Sequence, residues 1–243
     1  MKADLSSKRR RASPADALDP RSLLEAQAWL GRRRVDLVGL PAGSVLHRVC
    51  RPDASPLAPA PAAWRDGRLD PPAGRKERYG VLYTGGSRLG VCVEARRLVH
   101  SRLSDGLEVS QPLAPGRLCT LVTRAPLLLV HLDTLYNTLL FRCPESQRGN
   151  YALWQQVSWR VWSAVQRHPL AFAPVAGIAY RSFHRHSPCL NAAIFDDWVD
   201  RLDVVGRPRA ITARLMQEVL AEDDGRAPPH PDGATEGRVA AHS

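Results

Sequence analysis

Apolar residues in this chain fall in short runs, and their spacing switches between two periods. Val45 to Cys50, Tyr79 to Thr84, Arg117 to Val122, Leu127 to Leu132, Val175 to Ser182 and Ala192 to Phe195 are strand-sized. Helical spacing appears between them. Leu23, Ala26 and Leu30 recur at i, i+3 and i+7, with Leu24 and Ala28 beside them, and predict a short amphipathic helix over about Pro20 to Arg32. Leu153-Trp154, Val157, Val161 and Val165 form the apolar stripe of a long helix over about Asn150 to Arg167, flanked by Trp162. Shorter helices are expected over Leu132 to Phe141 and Ala210 to Ala221. Ser87 suits an N-cap for a helix over Arg88 to His100, which would carry Val91, Glu94, Ala95 and Leu98 on one face.

The segments between these runs set the expected boundaries. Residues 1–20, rich in Ser, Arg, Ala and Pro, read as a disordered basic leader. Residues 21–222 hold all the periodic segments and are expected to form one domain. Residues 223–243 read as a disordered tail of Pro, Gly and Ala. Residues 51–78 form a proline-rich loop longer than the ~15 residues a structureless loop usually reaches, which suggests function or disorder. No internal repeat is visible.

Composition narrows the classes. A chain of 243 residues with 44% hydrophobic and 24% charged residues is ordinary for a globular domain. No apolar run approaches the ~20 residues of a membrane span, and no apolar signal core follows the charged start. The expected location is the cytoplasm, with no membrane partner. The five cysteines are odd in number and widely spaced, with no Cys-x-x-Cys pair, so reduced and mostly buried thiols are expected. His184, His186 and Cys189, with Cys143, suggest zinc, but their spacing matches no standard structural site, and no metal is expected.

The net charge is +10, carried almost wholly by arginine, since the lysines are Lys2, Lys8 and Lys76. The charge concentrates in Lys8-Arg9-Arg10-Arg11 and Arg32-Arg33-Arg34. One reading is a polyanion-binding arm, the other a solvated, disordered start. A non-enzymatic nucleic-acid-binding protein using this arm is the alternative function. It calls for aromatic residues interleaved with basic ones. Aromatics are only 6% of the chain and fall mostly in the expected core, so nucleic acid is not the expected partner.

Polar residues inside apolar runs carry the candidate chemistry. Arg48 interrupts Val45-Leu46-His47-Arg48-Val49, and Glu94 shares a helix face with apolar residues. Burying such groups is costly unless they are paired or used. An Arg48–Glu94 ion pair of purely structural purpose is one reading. The order Arg48, Gly67-Arg68-Leu69-Asp70, Tyr79-Gly80-Val81-Leu82-Tyr83, Glu94 and Tyr180-Arg181-Ser182, followed by Asn191-Ala192-Ala193-Ile194-Phe195-Asp196, resembles the RES domain family, named after its recurrent Arg, Glu and Ser. The likeness spans Val45 to Phe195. It differs in having Leu69 where an aromatic usually follows Gly-Arg.

The resemblance implies an α+β fold, with an ADP-ribosyltransferase-like mixed β-sheet core and flanking helices around an NAD cleft. It implies NAD as substrate with no cofactor, consumed by hydrolysis, phosphorolysis or ADP-ribosyl transfer. It also implies a toxin of a toxin–antitoxin pair, with an Xre-type antitoxin protein as partner. Residue by residue, Arg48, Glu94 and Ser182 match the catalytic set, and Arg68 and Tyr83 match the substrate-binding set. Tyr180 would line the same wall as Ser182.

The chemistry suits these residues. Nicotinamide leaves NAD neutral and needs no protonation, so one carboxylate suffices where a glycosidase normally uses two. Glu94 would stabilise the oxocarbenium-like transition state. Arg48 and Arg68 suit the diphosphate, because guanidinium binds phosphate oxygens bidentately. Tyr83 would stack on nicotinamide, and Ser182 would hydrogen-bond a ribose hydroxyl or the carboxamide. A serine hydrolase is excluded by the lack of a Gly-x-Ser-x-Gly element.

Overall fold

Eight short strands pair into one sheet because several are apolar on both faces and need cover on each. The computed structural model describes residues 35–101, 106–142, 149–167, 175–181 and 190–223. In chain order the elements are β1 (Leu37–Leu40), β2 (Val45–Cys50), β3 (Val81–Gly85), α1 (Arg88–Glu94), β4 (Leu98–His100), β5 (Leu107–Val109), β6 (Arg117–Thr123) and β7 (Leu127–His131). Then follow α2 (Leu135–Phe141), α3 (Tyr151–Arg167), β8 (Val175–Arg181), β9 (Leu190–Phe195), β10 (Leu202–Ala210) and α4 (Ala213–Asp223).

The large sheet runs β1-β7-β8-β9-β3-β2-β6-β10, and β4 and β5 form a separate pair. Its pairings are antiparallel except β7–β8, which is parallel. A parallel pair needs a crossover, and α2 and α3 lie within it. The expected α+β class with a mixed sheet and flanking helices is what the chain adopts.

The stripe of α3 covers one sheet face: Trp154, Val157, Val161 and Val165 pack with Val130, Ile178 and Phe195. Tyr79 lies in that layer, stacked on Trp162 with centroids 4.9 Å apart, and donates its hydroxyl to Ser158 Oγ at 2.9 Å. Leu46, Leu82, Leu121, Leu129 and Ile194 fill the opposite face. A third cluster joins α1 and α4 through Val91, Leu98, Leu118, Leu215 and Met216.

The expected helix over Arg88 to His100 is shorter than its pattern. Ser87 caps it as expected, its Oγ accepting from Gly90 N at 2.9 Å. The helix ends at Glu94, and Leu98–His100 becomes a strand paired with β5. Arg97 N donates to Cys92 O at 2.8 Å and Arg96 N to Val93 O at 2.9 Å, the paired bonds of a Schellman motif. That motif wants glycine in the left-handed position, but Arg96 occupies it with φ 53°. The usual stop signal is absent, so the apolar spacing reads on through the break.

β1, β4, β5 and β10 were not expected. β10 holds Gly206 and Pro208, with a register shift between Val205 and Arg209, and exists by pairing with β6 at the sheet edge. The expected helix over Pro20 to Arg32, the leader, the tail, Ser182 and the group Cys143, His184, His186 and Cys189 lie outside the described residues. Cys50, Cys92 and Cys119 are buried free thiols.

Two outcomes follow. Arg96→Gly removes left-handed strain of about 1 kcal/mol and raises the melting temperature by about 2–4 °C, read by calorimetry. His47, in β2, contacts Thr120 Oγ1 through Nδ1 at 3.4 Å. Burial, and then the Arg88 guanidinium, lower its pKa from 6.5 to about 4. The unfolded chain therefore takes up the proton first. The stability His47 contributes is whole above pH 6.5 and is lost as the pH falls toward about 4. Allowing for its partial exposure, the loss is on the order of 1–2 kcal/mol. Urea unfolding at pH 7 and pH 4.5 should show a smaller difference for His47→Gln than for the original chain.

Candidate functional site

The proline-rich loop between β2 and β3 folds on local turn bonds such as Ala58 N to Ser55 O and Arg78 N to Arg75 O, and side chains meet several of its carbonyls. Arg48 meets two of them: Nη2 donates to Ala58 O at 2.8 Å and Nη1 to Pro56 O at 3.1 Å. Arg65 meets three more, at Ala60 O (2.9 Å), Lys76 O (2.6 Å) and Tyr79 O (2.7 Å). From α3, Ser158 Oγ donates to Leu69 O at 2.6 Å and Gln155 Nε2 to Gly67 O at 3.1 Å.

Gly67 to Asp70 closes on Tyr83. The Tyr83 hydroxyl accepts from Leu69 N at 2.9 Å and donates to the Asp70 carboxylate, which also accepts from Gly67 N at 2.7 Å. A side chain at position 67 would put its Cβ 2.5 Å from that hydroxyl, so only glycine fits. Burial raises the Asp70 pKa, against the Gly67 N–H and the Tyr83 hydroxyl. Burial likewise pushes Tyr83 well above the ordinary tyrosine value, with Asp70 adding to the shift.

This folding opens a cleft of about 300 Å³, within the range of small-molecule sites. Arg68 enters from the loop, Glu94 from the end of α1, Tyr83 from β3, Tyr180 from β8, Asn191 from β9 and Tyr151 from the start of α3. The Arg68 guanidinium carbon lies 4.9 Å from the Tyr151 ring centroid, a cation–π contact that orients it. Burial raises the Tyr180 pKa well above the ordinary value. Glu94 adds to the rise and Arg68 opposes it, so one hydroxyl lies within the field of both charges.

Strand register explains who faces the cleft. Tyr180 pairs with Asn191, Asn191 with Gly85, and Gly85 with His47. Directly opposed residues share a sheet face. Asn191 is 1% exposed, and neither Oδ1 nor Nδ2 has a hydrogen-bond partner among the described residues. An unmet buried amide costs about 1–3 kcal/mol.

Arg68, Tyr83, Glu94 and Tyr180, all expected from sequence, meet at this cleft. Arg48 does not. Strand alternation turns Val49 to the cleft and Arg48 to the opposite face, beside Cys50 and Cys119, whose Sγ atoms are 3.1 Å apart. Its guanidinium is taken by loop carbonyls, so Glu94 is not its partner either. Its expected place on the diphosphate is thereby corrected: Arg48 shapes the loop that presents Arg68. Arg181, just before Ser182, ends β8 with its N–H donated to Asp133. Tyr151 and Asn191 are additions. Tyr151 lies outside the apolar stripe of its helix, and Asn191 precedes the apolar run from Ala192 to Phe195, so neither stands out by spacing.

Among the described residues no group of three His, Cys, Asp or Glu side chains is placed to hold a metal ion, and no helix is long and apolar enough to cross a membrane. A family model described as the RES domain matches residues 45–214, well over half of the 243. No curated protein and no solved structure matches the chain.

The loop assignment of Arg48 has a measurable consequence. Arg48→Met removes two charge-assisted bonds to carbonyls and should cost on the order of 2–4 kcal/mol of stability. Denaturant unfolding reads the loss, and limited proteolysis should cut first within residues 51–78. Unchanged stability and an intact loop would contradict the assignment.

Proposed function

The chain belongs to the RES domain family, which is linked to NAD-consuming toxins, and from that membership and the cleft we propose that it cleaves the nicotinamide–ribosyl bond of NAD. The observation that most supports this reading is the meeting of one carboxylate, one guanidinium and a buried phenol: Glu94, Arg68 and Tyr180. The bond between ribose C1′ and the nicotinamide nitrogen breaks, and its electron pair leaves with neutral nicotinamide. Glu94 stabilises the cationic sugar, and its charge is worth most in a site that excludes water. The acceptor oxygen or nitrogen then bonds to C1′ and loses its proton. Water, phosphate and a protein side chain are the three acceptors to be separated.

Arg68, held over Tyr151, is suited to the diphosphate. Tyr83 forms cleft wall and holds the Gly67–Asp70 turn, and Tyr180 faces the ribose. Ser182 follows β8 directly and is proposed to anchor the ribose. The same reading takes the mixed sheet as ADP-ribosyltransferase-like. An Xre-type antitoxin would act by covering the mouth of the cleft.

The test is incubation with NAD, with and without phosphate, and separation of products. Nicotinamide release is expected, and Glu94→Ala should reduce it on the order of 10²–10³-fold while the protein stays folded. ADP-ribose marks a hydrolase, and its 1″-phosphate a phosphorylase. No nicotinamide with any acceptor, from folded protein, overturns the reading.

A further inference from the structure

We propose that Asn191 reads the carboxamide of nicotinamide and thereby fixes the ring in the cleft. The inference rests on the NAD reading and deepens it by naming the substrate group this side chain recognises.

Asn191 is a cleft-lining amide, 1% exposed, with both polar atoms unmet among the described residues. Buried polar groups of this kind are as a rule hydrogen-bonded, and an exception asks for an explanation. Here the surroundings keep the amide in place. Position 85, directly opposite on β3, is glycine. A Cβ there would stand 2.5 Å from Asn191 Oδ1 and 2.8 Å from Val91 Cγ1. The missing side chain leaves the slot that the amide occupies against α1.

The slot abuts the same short helix that carries the carboxylate. Val91 and Glu94 are three residues apart on α1, and both line the cleft. Three residues of helix rise about 4.5 Å. In NAD the carboxamide sits on the ring carbon two atoms from the nitrogen that leaves C1′. A carboxylate at C1′ and a reader of the carboxamide must therefore lie a few ångströms apart, on the same side of the cleft.

The donor and acceptor pattern selects the group. In either orientation Asn191 presents one acceptor and one two-proton donor. A carboxamide offers the same set reversed, so two N–H to O=C bonds form side by side. Phosphate oxygens would meet the Asn191 oxygen with repulsion and are better served by Arg68. A ribose hydroxyl engages only one half of the amide.

The experiment compares the full chain and Asn191→Ala on NAD and on 3-acetylpyridine adenine dinucleotide, whose methyl ketone keeps the acceptor and lacks the donor. Release of the pyridine base is followed by chromatography. The intrinsic difference between leaving groups is common to both proteins and cancels in the ratio. A site built on a hydrogen bond rejects analogues lacking it, so Asn191→Ala should lower kcat/KM for NAD about 10–100-fold and change the analogue far less. Equal losses on both substrates overturn the assignment and leave the NAD reading standing. No base released by the unaltered, folded chain overturns the NAD reading and this inference with it. If Asn191→Ala does not fold, Asn191→Ser is read by the same ratio. Binding to the unaltered chain, followed by NMR, gives a readout without turnover: free nicotinamide should bind about tenfold more tightly than 3-acetylpyridine, and equal binding overturns the assignment.

Discussion

Buried carbonyls must be hydrogen-bonded, and the local turn bonds of the proline-rich loop before β3 leave several of its carbonyls to side chains. Arg48 and Arg65 together meet five of its carbonyls, and Ser158 and Gln155 meet two more from α3. In the loop so held, Gly67 lies close against the Tyr83 hydroxyl and Arg68 lines the cleft. The loop is thus a layer of the domain, stitched on by side chains where other segments use a ladder.

Three features in or beside the site run against stability. Glu94 is the last residue of α1, where the helix dipole presents its negative end and a carboxylate is disfavoured. Arg96, two residues on, holds a left-handed conformation that suits glycine. Asn191 adds an amide unmet among the described residues of the same cleft. Costs concentrated at one place in this way are typical of functional sites, where the surrounding structure holds groups in arrangements they would not choose alone.

The fate of Arg48 shows how a correct suspicion can attach to the wrong task. An arginine in an apolar strand does require an explanation, and the explanation is structural: carbonyls of its own loop. Alternation along β2 decides this, because side chains one residue apart point to opposite faces. Val49 shares the cleft with Tyr83, while Arg48 lies with the two thiols on the other side. The helix stripe of α3 was legible because its period survives any context. The edge strand β10, with Gly206 and Pro208, was not, because its pairing with β6 supplies what local preference lacks.

The amino-acid sequence by itself determined the periodic elements: the stripe of α3, the apolar strands β2, β3 and β6 to β9, and the Ser87 cap. These depend on side chains a few residues apart. It also carried the residue types of the cleft, Arg68, Tyr83, Glu94 and Tyr180, in an order that marks the family. Tertiary structure alone decided which of them share a face. Register across β8, β9 and β3 brings Tyr180, Asn191 and Gly85 into one row, joining two consecutive strands to a third from far earlier in the chain. No local pattern reports that row, because the β9–β3 pairing and the register of both pairs are set by contacts across the sheet and not by residues a few positions apart.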